Sequence, residues 1–393
     1  MSTTPSLIQN QLTTWFQRRT PANGVRRVAS LSAALASDVG NVRENNQDRA
    51  AVVRGRDQQG KEYALVVVAD GIGGMHDGGT CAAMTIGAFV AAVDQLAQKS
   101  GGSDCPEDWL GESAHAANVA VYSKFRASGG STLVALLVRP GNPAYWLSIG
   151  DSRVYWMDDK TLTQASIDDT IAGQLGKSPE EANEQSRLLQ FVGMGPDLEP
   201  HVARLDTDSL GAVVLTTDGV HYLSPSPGWL GQIIRHSPDP GVCVKRLIDL
   251  AKWCGGPDNA TVAMITLPVD IQTESRLDFP WLEIWDAYGE LQIITPPPSH
   301  VLSSNHSSNP TTNSQSTPAS ETPPISGFAP IIDEPLKPPI PEQTKPRRSK
   351  APRKPKKPMG ERSLGIDKSD EPDRPQLHME FPTKSNEKEP SKS

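Results

Sequence analysis

"VVVADGIGGMHDGGT", residues 66–80, runs an apolar strand into a single aspartate, Asp70, and then places glycine at five of the next nine positions. Two uses of so permissive a loop compete: backbone amides cradling a phosphate, or backbone crowding around a metal held by the carboxylate. A dinucleotide fingerprint needs a third glycine where His76 stands, and a P-loop needs a Gly-Lys-Ser/Thr run that no lysine here supplies. The carboxylate is left as the chemical group of the loop.

Asp70 has counterparts along the chain. Asp151 in "SIGDSRVYW", Asp218 in "VLTTDGV" and Asp258 in "GGPDNATVAMI" each stand where an apolar run meets a turn. Taken singly, each is an ordinary turn aspartate. If the four strands are neighbours in one sandwich, the turns collect the carboxylates at one edge, where they repel unless a cation compensates. Carboxylate, carbonyl and water oxygens suit Mg²⁺ and Mn²⁺, and no Cys/His set competes for zinc.

The architecture follows from the same runs. Strands are expected at 62–69, 131–138, 144–149, 153–157, 212–217 and 260–267, with helices at 80–98, 108–127 and 240–254. The tight Gly150-Asp151 turn predicts a hairpin between the third and fourth strands. Strands in succession with paired helices between them predict an α+β sandwich. Residues 165–235, where helical fragments alternate with Gly and Pro, read as a mobile flap. The aromatic stretch 279–294 either packs back on the domain or docks a partner.

Composition divides the chain. Of 35 prolines among 393 residues, 20 lie at or beyond Pro296, in a stretch rich in Ser, Thr, Asn, Lys and Glu. Such a segment cannot bury enough apolar area to offset its ordering entropy and reads as a disordered tail. It carries a basic block, "KPRRSKAPRKPKK" at 345–357, suited to an acidic or SH3-like partner. The net charge of −8 gives no whole-molecule reason to bind nucleic acid. No apolar run reads as a membrane span. The stretch 26–38, which imitates a cleavable signal, is too diluted with serine to be one. Cys81, Cys105, Cys243 and Cys254 show no paired spacing and read as reduced thiols of a cytoplasmic protein.

In order, "SDVGNVRENNQDR" (37–49), "ADGIGGMHDGG" (69–79), "GGSTLVALLV" (129–138), "SIGDSRVYW" (148–156), "LTTDGV" (215–220) and "DNATVAMI" (258–265) resemble the metal-dependent Ser/Thr protein phosphatases, the PPM or 2C-type family, in its bacterial form. The resemblance implies a four-layer α-β-β-α sandwich of two antiparallel sheets flanked by helices, over residues 30–270. Residues 1–29 are then a partly ordered leader, 271–295 the aromatic segment and 296–393 the tail.

By the same resemblance two Mn²⁺ or Mg²⁺ ions sit at one end. Asp70 bridges them, the Gly71 carbonyl ligates one, and Asp218 and Asp258 complete the other's ligands. Asp151 with Asp218 marks a weaker third metal, and Arg43 grips the substrate phosphate. Gln47, where the family often has Glu, and Asp48 are outer-shell candidates. The implied activity is hydrolysis of phosphoserine and phosphothreonine by metal-activated water, opposing a Ser/Thr kinase on its phosphoprotein substrates. The alternative is a pseudophosphatase that binds phosphoproteins as a scaffold. Gly79 and the "SIDDT" stretch with Asp169 depart from the family pattern, and His76 is a general-acid candidate by location only.

Overall fold

The computed structural model describes residues 6–294 except Gly73, His76 and residues 100–104, 159–160, 177–186, 206–210, 223–227, 270 and 272–280. The Pro-rich segment, its basic block and the His76 expectation lie outside the described residues.

The strand that leads into Asp70, β4 (Glu62–Ala69), is buried along its whole length. Its alternating side chains serve two cores. Ala64, Val66 and Val68 face a layer between two sheets, whereas Leu65, Val67 and Ala69 face a layer of helices. β4 is therefore a central strand of an inner sheet. Its neighbours are β3 (Arg49–Arg56) on one side and β5 (Leu133–Val138) on the other, both antiparallel.

The complete sheet has seven antiparallel strands. Outward from β3 come β12 (Trp281–Trp285) and β13 (Glu290–Ile294), and outward from β5 come β6 (Ala144–Ile149) and β9 (His201–Leu205). The second sheet has six strands in the order β1 (Asn23–Val28), β2 (Ala33–Asp38), β11 (Ala260–Thr266), β10 (Ala212–Thr216), β7 (Arg153–Met157) and β8 (Leu162–Gln164). Helices α1 (Leu7–Phe16), α2 (Gly78–Lys99) and α3 (Pro106–Phe125) cover the outer face of the first sheet. The outer face of the second is covered by α6 (Gly228–Arg235) and α7 (Pro240–Trp253). This is the four-layer sandwich expected from the resemblance.

Four sequence expectations are corrected. The Gly150-Asp151 turn does not close a hairpin: β6 lies in one sheet and β7 in the other. The Gly150 amide donates to the Asp169 carboxylate at 2.9 Å and its carbonyl accepts the Asp169 amide at 2.9 Å, so the turn's polar groups are met by a third segment.

The presumed leader belongs to the sandwich. Leu12 and Phe16 of α1 are fully buried against α2, and β1 pairs with β2 from Asn23↔Asp38 to Val28↔Ala33. Fully burying side chains of this size contributes roughly 1.5–3 kcal/mol each, which explains why the domain cannot begin at residue 30.

The described parts of the stretch taken for a mobile flap include β9, β10 and α6, whereas its residues 177–186, 206–210 and 223–227 lie outside the described residues. Its residues near 193–195 are held by Asn118, which accepts from the Gly193 amide at 2.8 Å and donates to the Gly195 carbonyl at 2.6 Å.

Finally, α2 is long and apolar enough by composition to cross a membrane, contrary to the reading of the sequence. In this fold most of it is buried against the sheet, α1 and α3. The aromatic segment packs on the domain: Leu282 and Ile284 are buried in the helix-side core.

Candidate metal centre

The two sheets bring the expected aspartates to one end of the sandwich. Asp70 follows β4, Asp151 lies in the crossover from β6 to β7, Asp218 opens the short helix α5 (Asp218–His221) after β10, and Asp258 precedes β11. Each is half-buried, so the cluster is recessed but reachable by solvent. Asp48, immediately before β3, is 2 % exposed and belongs to the same cluster.

Hydrogen bonds fix the backbone around these groups. The Asp70 amide donates to Thr132 Oγ1 at 2.9 Å and its carbonyl accepts the Thr132 amide at 2.8 Å, while Thr132 Oγ1 meets Ser152 Oγ at 2.7 Å. Thr217 Oγ1 donates to Asp48 Oδ2 at 3.0 Å. Asn259 ties the 39–47 loop to the Asp258 turn, donating to the carbonyls of Val39 and Asn45 at 2.9 and 3.0 Å and accepting the Gln47 amide at 2.8 Å.

Gly71 is needed for close approach of backbone to backbone. A Cβ there would stand 2.2 Å from the Gly78 carbonyl oxygen and 3.0 Å from that of Gln47. The glycine is thus required by the packing of the loop on itself. The loop so folded holds Asp70 against Asp48 and Asp218.

The electrostatics of the cluster are strained. Burial, reinforced by Asp218, pushes the Asp48 carboxyl up to about 7. Burial and then Asp218 push Asp151 to about 7, and burial and then Asp258 push Asp218 to about 6. Asp70 is raised well above the carboxylate range by burial and then by the neighbouring Asp48, Asp218, Asp151 and Asp258. One oxygen of Asp48 and one of Asp218 are buried with no hydrogen-bond partner. Buried carboxylates that repel one another and leave oxygens unpaired are the donor set a hard divalent cation satisfies. Among the described residues no three Asp, Glu, His or Cys side chains converge on one point at ligand distance. Asp258 is instead engaged by Arg43, whose Nη2 donates to its Oδ2 at 2.7 Å.

The remaining expectations fall into place residue by residue. Arg43 is exposed at the rim, paired with Asp258 rather than free. Gln47 and Gly79 line a cleft of about 470 Å³ between the end of α1 and the 44–49 loop, whose lining includes none of the clustered aspartates, and a Cβ at Gly79 would lie 3.8 Å from Arg49 Nη2. Asp169 points away from the cluster: it accepts from the Gly150 amide, from His201 Nε2 at 2.8 Å and from Gln190 Nε2 at 3.3 Å. Its neighbour Asp168 takes both oxygens to Arg153, at 2.7 to 3.1 Å. Asp48 lies buried within the cluster, and Thr217 and Asn259 emerge as the residues that hold its surroundings. The signal for Asn259 and Thr217 lay in the quoted motifs, where each adjoins a candidate aspartate.

A four-layer sandwich that gathers aspartates from four strand ends defines the class, and the comparisons agree with it. The protein phosphatase 2C family model matches residues 41–240, and the chain belongs to that family. It is 33% identical over 245 residues to the serine/threonine protein phosphatase PstP of Mycobacterium tuberculosis, an alignment covering 60% of this chain and 44% of that protein. The chain thus spans less than half the length of these mycobacterial relatives. A putative 2C-type protein phosphatase of Streptococcus pyogenes is 26% identical over 250 residues, 60% of this chain and 97% of the relative. The crystal structure of Stp1, a serine/threonine phosphatase from Staphylococcus aureus, shares the fold with a TM-score of 0.52 at 20% identity, over 60% of this chain and 95% of that one.

Proposed function

We propose that the chain is a metal-dependent phosphatase that hydrolyses phosphoserine and phosphothreonine in proteins. The observation that carries this reading is the pair of buried, unpartnered carboxylate oxygens, on Asp48 and Asp218, in the cluster around Asp70. Asp70, the Gly71 carbonyl, Asp218 and Asp258 would hold two Mn²⁺ or Mg²⁺ ions, with Asp151 and Asp218 available to a weaker third. Bound there, the ions supply a water of lowered pKa and neutralise phosphoryl oxygens.

The chain's own residues do the rest. Asp48, hydrogen-bonded to Thr217, stands ready to orient a water in the cluster. Arg43, at the rim, offers a planar donor fork to a phosphate once Asp258 is engaged elsewhere.

The biological setting follows as part of the proposal. The enzyme opposes a Ser/Thr kinase in the cytoplasm, acting on that kinase or its substrates, and the basic block at 345–357 docks an acidic or SH3-like partner. Cys81, Cys105, Cys243 and Cys254, which form no disulfide with one another, suit a reducing compartment.

One observation favours the scaffold alternative, in which the fold binds phosphoproteins without turnover: Arg43 and Asp258 occupy one another. The test is phosphate release from phosphothreonine and phosphoserine peptides by the full chain with Mn²⁺, beside Asp218→Ala. Release by the wild type and none by the variant is expected. Peptide binding with no release from either supports the scaffold instead.

A further inference from the structure

The hairpin formed by β12 and β13 lies past the expected end of the domain, yet its turn reaches the loop that leads into Asp48. β12 pairs with β3 from Leu282↔Gly55 to Trp285↔Val52, so the hairpin turn emerges beside the start of β3, where Arg49 follows Asp48. The turn is rigid. The Asp286 carboxylate, 5 % exposed, accepts the amides of Tyr288 and Gly289 at 2.8 and 2.7 Å. It also receives Arg18 Nη2 on both oxygens, at 2.8 and 2.6 Å. Arg18 in turn donates to the Trp15 carbonyl at 2.8 Å and lies 3.8 Å from the centroid of the Trp15 ring.

From this turn the Tyr288 hydroxyl meets Asn46 Nδ2 at 3.3 Å. Gly24 of β1 admits the ring: a Cβ there would stand 2.6 Å from it, so any side chain would push Tyr288 off its seat. Asn46 passes the contact on. Its Oδ1 accepts the Asp48 amide at 3.0 Å, and its Nδ2 donates to Ser37 Oγ at 2.8 Å. Arg49 grips the same stretch from the α1 side, donating to the carbonyls of Phe16, Asn46 and Asp48 at 2.6, 2.9 and 2.6 Å.

We infer that Tyr288 is a positioning residue for the metal centre, holding Asn46, and through it Asp48, from a hairpin braced on α1 by the Arg18–Asp286 pair. This rests on the metal-dependent reading above and deepens it: the working unit runs from α1 through residue 294. Groups that orient the inner residues of a metal site change its affinity when removed, by about 10–100-fold for direct outer-shell partners. One step further out, a loss of about three- to tenfold is expected.

The test is Mn²⁺ binding to the full chain by calorimetry, with thermal unfolding in EDTA alongside, for wild type, Tyr288→Phe, Asn46→Ala and the double variant. Tyr288→Phe should weaken Mn²⁺ binding by about three- to tenfold with little change of unfolding temperature in EDTA. The double variant should bind no more weakly than Asn46→Ala alone, because one path is removed once. Arg18→Gln, which loosens the turn without touching the tyrosine, should lower affinity in the same direction. Wild-type affinity in both Tyr288→Phe and Arg18→Gln, or additive losses in the double variant, overturns the inference. A wild-type chain that takes up no Mn²⁺ overturns the phosphatase reading itself, a different outcome from normal uptake with unaffected variants.

Discussion

Arg43 Nη2 lies 2.7 Å from Asp258 Oδ2, so the residue expected to hold phosphate and a residue expected to hold metal are paired with each other. The pair is half-exposed, with side-chain exposures of 45% and 33%, and such pairs are weak enough to exchange partners. Asp258 also accepts the amide of Asn259 at 2.8 Å, which keeps its carboxylate near the loop after Arg43 has left. On the metal-dependent reading, a cation at Asp258 would compete with Arg43 for that carboxylate, so metal uptake would free the guanidinium for substrate.

Arg43→Ala accordingly separates the two roles. Loss of a charge-assisted hydrogen bond to phosphate costs about 1.5–3 kcal/mol, which lowers kcat/KM on a phosphopeptide by about 10- to 100-fold. Mn²⁺ affinity should hold or tighten, since a competitor for Asp258 is gone. Steady-state kinetics and calorimetry on the same preparation check both halves.

The raised carboxyls of Asp48, Asp151 and Asp218, at about 7, 7 and 6, set a pH dependence of metal-free stability. Their folded-state values exceed the unfolded value near 3.8, so between these limits the folded state binds more protons. That contribution is complete below about pH 4 and is lost as pH rises through about 6 to 7. Thermal unfolding in EDTA should therefore occur at a lower temperature at pH 8 than at pH 5.5. Excess Mn²⁺ should restore the pH 8 value, with proton release on binding near pH 6.5. Equal unfolding temperatures at the two pH values would show that the carboxyls are not mutually strained.

Asp218→Asn removes one charge from the same cluster. Metal-dependent turnover should disappear, yet the EDTA-treated variant should unfold about 2–4 °C higher than wild type at pH 8, corresponding to about 1 kcal/mol for a domain of this size. A variant that is both inactive and less stable in EDTA would point to a structural role for the Asp218 carboxylate.

Gln47 faces the cleft with an amide where the family often carries a carboxylate. Gln47→Glu adds charge close to Asp48 and Asp70. Apparent Mn²⁺ affinity is expected to rise about tenfold, in line with the dependence of such sites on ligand charge. Stability in EDTA should fall. Activity plotted against free Mn²⁺ gives the first value, and thermal unfolding gives the second.

What the sequence made legible follows the physics of each segment. β4, β5, β10 and β11 are rich in Val, Leu and Ile and announce themselves as buried strands. β3 hides because Arg54 and Arg56 interrupt its apolar run. Both are buried, and both pair with Glu62 on the neighbouring strand, at 2.9 and 2.8 Å. Only the pairing of strands makes those charges tolerable, and pairing is not written locally. The aspartates of the centre were visible because each stands where an apolar run meets a turn. The depth of Asp48 was not, since its burial is made by Thr217 and by Asn46, which Tyr288 reaches from 242 positions away. The Gly150-Asp151 turn misled for a related reason: its two-residue form fits a hairpin, and the Asp169 carboxylate that redirects it stands 19 positions on.

The most direct measurement is the initial rate of phosphate release from a phosphothreonine peptide by the EDTA-treated full chain, as free Mn²⁺ is added back, with the bound metal counted at each point. The expected result is no release at zero metal, onset as two ions per chain are taken up, and neither uptake nor release in Asp70→Asn. Phosphate release that proceeds in EDTA, or that survives Asp70→Asn, is incompatible with a centre built on Asp70, Asp218 and Asp258.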